Sequence, residues 1–315
     1  MTSKHPIVVT GMPRAGTSWV GKILEASGQV VYVNEPMNPR HPPGHSPGVL
    51  NASVAHRYEY ICAENEAQWL QPFRDTTALR YHFLAEIRAN HRPYDVARML
   101  KYGSAFTIGR LKGRRAMLND PFALMSVPWL VERLGCTAIV LVRDPVALVG
   151  SWRALGYQAD LDDLLDQPAL MRDYLEPYAD DLQRMDGSDD GIGRICTLWR
   201  ALYGAVSQMR ESAEVVVFRY EDLVRSPHEQ FRQMYADCEV PWAKRSQQLL
   251  DASTRDGGGR GGHSFKGLSK TAYRAMGATT ALGSYRSRLT EAEIERVNVE
   301  TADIRELFYP EPGVC

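Results

Sequence analysis

Residues 6–27 read PIVVTGMPRAGTSWVGKILEAS. A β-branched apolar run, Ile7–Thr10, ends in Gly11, and a short loop then carries Arg14 and Gly16. Val20, Ile23 and Leu24 follow at i, i+3 and i+4. A buried strand, a glycine turn and an amphipathic helix in that order open a phosphate-binding α/β unit. The glycines allow a tight turn, and the amides of Ala15, Gly16, Thr17, Ser18 and Trp19 can converge on an anion at the helix N-terminus. The Thr17 and Ser18 hydroxyls are further donors. The spacing is that of G-x-x-x-x-G-K-[ST], but Thr17 stands where a nucleoside triphosphatase has its lysine. Without that ammonium the loop is poorly suited to β- and γ-phosphates. Arg14, between the two glycines, is the cation to explain.

Three more short apolar runs, Val30–Val33, Ala138–Val142 and Glu214–Phe218, read as buried parallel strands, and Ala116–Leu118 as a weaker fifth. Between them the spacing turns helical, as in Leu198, Leu202, Ala205 and Met209. The alternation predicts an α/β fold, P-loop-like, with a central, mostly parallel sheet flanked by helices in three layers. The 315 residues hold no repeat and no linker that demands a second domain, so residues 1–315 are expected to form one. Two insertions interrupt it. Residues 37–115, which begin in the proline- and glycine-rich loop Pro36–Val49, are expected to build an acceptor site, and the glycine-rich 256–283 a lid over ligand.

Composition excludes some classes. A net charge of −1 gives no global pull toward nucleic acid, so any bound anion must be held by local charge. Five scattered cysteines without CxxC spacing argue against a disulfide framework or a zinc site, and no HxxxH or carboxylate cluster suggests another metal. With no signal-peptide pattern and no apolar stretch of membrane-spanning length, a cytoplasmic protein is expected.

A second anchor is LVRDPVALVGSWRALG, residues 141–156. The strand ending at Val142 delivers Arg143 to the carboxyl edge of the sheet, where α/β ligands bind. Asp144 and Pro145 suit a helix cap and first turn, and Ser151 lies two helical turns beyond Arg143. A third segment, VVVFRYEDLVRSP (215–227), ends another strand at Tyr220.

PRAGTSW resembles the 5′-phosphosulfate loop of sulfotransferases that use 3′-phosphoadenosine 5′-phosphosulfate (PAPS), in the form with arginine that Golgi and bacterial members carry. Arg143 with Ser151 and the YEDL strand end resemble two further motifs of that family, in the same order. The resemblance implies a donor, PAPS, and roles for these residues. Arg14 would stabilise the charge that develops on the bridging oxygen as sulfur leaves. Ala15, Gly16, Thr17 and Ser18 would hold the 5′-phosphate, Arg143 and Ser151 the 3′-phosphate, and Trp19 and Tyr220 would border the adenine. Arg286, in GSYRSRLTEAEIERV, and Arg260 are carried over as further phosphate contacts.

The acceptor hydroxyl must lose a proton as it attacks sulfur. Glu35, just past the second strand, stands at the offset from Arg14 at which tyrosylprotein sulfotransferases have their proposed base. His82 and His91 lie at about the distance from the loop at which cytosolic members carry a histidine, and Asp120 in NDP is a further candidate. The expected acceptor is a carbohydrate, a glycolipid or a small molecule, and the oligomeric state is left open. A small-molecule kinase or NTPase on the same loop, and a silent nucleotide-binding protein, are the alternatives.

Overall fold

The computed structural model describes residues 5–39, 47–89, 92–212, 214–254 and 282–310. Five strands form one sheet: β1 (Ile7–Gly11), β2 (Val30–Asn34), β3 (Arg115–Asn119), β4 (Thr137–Val142) and β5 (Val215–Arg219). Their order is β2-β3-β1-β4-β5 and every pairing is parallel. All five runs read from the sequence are strands, to within a residue or two at each end. The weakest, β3, lies between β2 and β1, with Val31 opposite Ala116 and Ile7 opposite Met117. Its polar ends hid it. Arg115 is buried and donates to the His5 and Cys238 carbonyls, and Asn119 is buried at the other end.

Side chains alternate across a parallel sheet covered on both faces. Ile7, Val9, Ile139 and Leu141 face a core with α1 (Thr17–Glu25), through Val20, Ile23 and Leu24. Val8, Ala138, Val140 and Val142 face the opposite core. That side is covered by α5 (Val127–Leu134), α6 (Pro145–Arg153) and the long α10 (Gly191–Ser212), whose Leu198, Leu202, Ala205 and Met209 are all buried. Between α6 and α10 run α7 (Asp162–Leu165), α8 (Pro168–Leu170) and α9 (Ala179–Met185). After β5 come α11 (Tyr220–Arg225), α12 (Pro227–Asp237) and α13 (Lys244–Thr254), and α14 (Glu291–Phe308) closes the described chain. The fold is the three-layer, P-loop-like α/β sandwich expected.

Among the described residues of 37–115 are three α-helices, α2 (Leu70–Thr77), α3 (Phe83–Ala89) and α4 (Pro93–Leu111). The described parts of Pro36–Val49 contain neither helix nor strand. Most of the glycine-rich stretch, with Arg260, and His91 lie outside the described residues.

Candidate functional site

The carboxyl ends of β1, β4 and β5 meet at the Gly11–Gly16 loop. At Gly11 the backbone has φ +143° and a Cβ would fall 2.3 Å from the Leu141 carbonyl oxygen, so only glycine lets β1 turn against β4. At Gly16, φ is +106° and a Cβ would meet the Tyr220 ring at 2.7 Å. The loop between them is held from outside. The Tyr203 hydroxyl accepts from the Met12 amide at 3.2 Å and donates to the Leu141 carbonyl at 2.9 Å. The Trp152 indole donates to the Pro13 carbonyl at 2.8 Å, and an Arg143 Nη donates to the Arg14 carbonyl at 2.8 Å. These contacts fix Arg14 at φ +78°, a left-handed conformation rare for a residue with a side chain. Helix geometry leaves the first amides of α1, Thr17 and Ser18, without intrahelical acceptors.

Arg14, Arg143 and Ser151, read as parts of two separate motifs, form one cluster. Arg14 Nε donates to Ser151 Oγ at 3.3 Å, and the Arg143 guanidinium lies 4.6 Å over the Tyr220 ring. Asp144 caps α6 as expected, accepting from the Val146 and Ala147 amides at 3.0 and 3.3 Å. Neither Arg14 nor Arg143 has an ion-pair partner among the described residues, and the buried Arg143 Nε has no hydrogen-bond acceptor there. Burial, and then the charge of Arg143, push the Arg14 pKa down, with Arg288 adding to the effect. Buried Glu221 lies within reach of the Arg143 charge but is ion-paired to neither arginine, so the two cations stand beside each other without a bonded counter-charge.

Trp19 and Tyr220 are buried, 6% and 9% exposed. The Trp19 ring packs edge-on to Phe231 and its indole donates to Ser253 at 3.0 Å.

Glu35 follows β2 at φ +43°, its amide donating to the Asn119 carbonyl at 3.0 Å. Its carboxylate accepts from Asn38 Nδ2 at 2.7 Å, and burial raises its pKa. Asp120 lies behind it. Fully buried, Asp120 accepts from the Met37 amide at 2.5 Å and the Phe122 amide at 2.9 Å, so it shapes the chain just after Glu35. Burial first, and the neighbouring Glu35 charge second, lift the Asp120 pKa to about 7. His82 points elsewhere: its Nε2 is 3.3 Å from Asp75 on α2, and no hydrogen bond joins it to the loop or to Glu35 among the described residues.

Arg286 is exposed, stacked 5.8 Å from the ring of its neighbour Tyr285. Tyr285 seats this segment on α6, where a Cβ at Gly150 would come within 2.9 Å of the Tyr285 Cβ. Two residues on, Arg288 is the basic residue whose charge reaches Arg14. It was not singled out in the sequence, nor was Tyr203, although both flank the loop. Arg288 belongs to the same SYRSR run as Arg286, so only geometry separates them. No group of three or more His, Cys, Asp or Glu able to hold a metal occurs among the described residues. No helix there is long and apolar enough to cross a membrane.

Among solved structures, the chain is similar to the sulfotransferase domain from the curacin biosynthetic pathway, at 14% identity and TM-score 0.46, covering 97% of this chain and 98% of that one. It is also similar to the sulfotransferase domain of the Synechococcus PCC 7002 olefin synthase (15%, 0.46, 99% and 98%). A third similar structure is sulfotransferase STF9 from Mycobacterium avium (14%, 0.45, 99% and 78%). No curated protein matches by sequence. Residues 6–244 match the family model described as Sulfotransferase family, and the chain belongs to that family.

Proposed function

We propose that the chain moves a sulfuryl group from PAPS to the hydroxyl of a carbohydrate, glycolipid or other small acceptor, releasing adenosine 3′,5′-bisphosphate. The observation that carries this reading is the pairing of Arg14 and Arg143 around Ser151, two cations at the sheet's carboxyl edge with no carboxylate partner among the described residues. A donor with phosphates on both the 5′ and 3′ positions supplies the missing charge at both. The loop amides and Arg14 take the 5′-phosphate, and Arg143 with Ser151 takes the 3′-phosphate.

In the transfer, the acceptor oxygen forms a bond to sulfur as the bond from sulfur to the bridging oxygen breaks. Negative charge grows on that bridging oxygen, and Arg14 stabilises it more strongly there than in bound donor. Glu35 takes the acceptor proton. Its raised pKa suits the task, because a general base works best when its pKa approaches the working pH. Asp120 is a positioning residue, holding the Met37 amide and so the turn that carries Glu35.

Glu35→Gln keeps the shape and the contact to Asn38 while removing basicity. Turnover of labelled PAPS should fall about 10²- to 10⁴-fold with the KM for PAPS little changed. A variant with near-normal turnover removes Glu35 from the mechanism.

A further inference from the structure

Of the twelve large apolar side chains exposed among the described residues, eight lie on α3 and α4: Phe83, Leu84, Ile87, Tyr94, Val96, Leu100, Ile108 and Leu111. Leu84, Leu100 and Leu111 are 70%, 61% and 82% exposed. Elsewhere such residues are scattered singly, which is ordinary for a protein surface. Here they follow a helical period. At 3.6 residues per turn, Val96, Leu100, Ile108 and Leu111 fall on one face of α4. Arg92 and Arg110 then run along one flank of that stripe, with Lys101 and Lys112 along the other.

The charge on this surface is of one sign. Arg88, Arg92, Lys101, Arg110 and Lys112 are all exposed. The two carboxylates of the same described stretch are buried. Glu86 pairs with Arg98 and accepts from the Gly48 amide at 2.7 Å, and Asp95 accepts from the Arg92 amide at 3.2 Å. A chain of net charge −1 thus concentrates five exposed cations, with no exposed acid among them, around an aliphatic stripe.

We propose that α3 and α4 form a docking surface for an anionic lipid bilayer. Such a face lies in the interfacial plane with its aliphatic stripe among the acyl chains and its flanking cations at the headgroups. Lysine and arginine suit the flanks, since their stems cover apolar surface while their charges stay in the headgroup layer. A second copy of the chain is a poor occupant, because a two-fold contact would press this cationic surface against its own image. A neutral protein groove would bury the stripe and leave the cations without partners. An anionic bilayer satisfies both. α4 also carries Tyr102, whose pKa is raised by burial first and only last by the charge of Glu35. Docking here would set the acceptor side of the site toward the headgroups. That link rests on the proposed function; the docking itself does not.

The test is flotation of the full-length protein with phosphatidylcholine vesicles, with and without phosphatidylglycerol. Binding is expected only with the anionic lipid and should weaken as salt rises. Lys101→Glu with Lys112→Glu should reduce partitioning at least about thirtyfold, from two lost headgroup attractions. Leu100→Asp with Leu111→Asp should abolish it, whereas Val299→Asp, an exposed apolar residue on α14, should not change it. All these side chains are exposed, and unchanged thermal unfolding will verify that each variant is folded. Wild-type protein that ignores anionic vesicles overturns the proposal. So does vesicle binding that both double variants retain. Self-association abolished by Leu100→Asp with Leu111→Asp, without vesicle binding, would assign the face to a second copy instead.

Discussion

Arg143→Ala is expected to weaken two ligands by different amounts, because the side chain does two jobs. One is visible in the loop: its guanidinium donates to the Arg14 carbonyl and stacks on Tyr220. A hydrogen bond of that kind is worth about 1 kcal/mol net, and the stacking a similar amount. Removing both lets Arg14 leave its left-handed conformation, which otherwise costs about 1–3 kcal/mol to hold. Any nucleotide that uses the loop should feel this, so AMP is expected to bind about five- to tenfold more weakly. The second job is the proposed contact with a 3′-phosphate. A charged hydrogen-bonded contact contributes roughly 1.5–3 kcal/mol, so adenosine 3′,5′-bisphosphate should lose about ten- to a hundredfold beyond the loss for AMP. Calorimetric titration of two proteins with two ligands isolates the second job as a coupling energy. If both ligands weaken by the same factor, Arg143 only braces the loop and the assignment of the 3′-phosphate fails.

Arg14→Ala should lower kcat by about 10²–10³ while bisphosphate affinity changes little, the pattern of a donor that acts in the transition state. Equal losses in product affinity and turnover would make it a binding residue only. Asp120 predicts a pH effect on stability. Its carboxyl titrates near 4 in an unfolded chain but at about 7 when folded, so the folded state holds the proton more tightly. Its contribution is complete below about pH 4, falls as pH rises toward 7 by an amount on the order of a few kcal/mol, and is flat above. Urea unfolding of wild type and Asp120→Asn should therefore show the wild type losing ground to the variant between about pH 4 and 7. A stability difference constant across that range would mean that Asp120 is not held protonated.

The sheet was legible because parallel strands buried on both faces must be almost wholly apolar, and Ile7–Thr10 or Ala138–Val142 can be little else. Ala116–Leu118 was faint for a physical reason. Its strand is completed by Arg115 and Asn119, whose burial depends on partners distant in the chain, such as the Cys238 carbonyl. Arg14, Arg143 and Ser151 could be found as motif residues, but their direct contact could not. The spacing of Arg143 and Ser151 suggested a shared ligand, not that Arg143 would shape the loop around Arg14. Tyr203 was hidden in another way. It sits beside the apolar stripe of α10 and reads as packing, yet its hydroxyl ties Met12 to Leu141. On α3 and α4 the apolar residues keep a helical period, but period alone does not say which face is buried, and it is the Glu86–Arg98 pair that turns inward.

The identity of the donor is tested most directly by calorimetric titration of the wild-type protein with adenosine 3′,5′-bisphosphate, AMP and ATP. ATP should be run with and without magnesium. The bisphosphate should bind most tightly, with no requirement for the metal, if Arg143 and Ser151 meet a 3′-phosphate as proposed, because Thr17 stands where a triphosphatase has the lysine that reaches the γ-phosphate. AMP should trail it by about ten- to a hundredfold, the value of that one charged contact. Magnesium–ATP binding more tightly than the bisphosphate would contradict the account and point to phosphoryl rather than sulfuryl transfer.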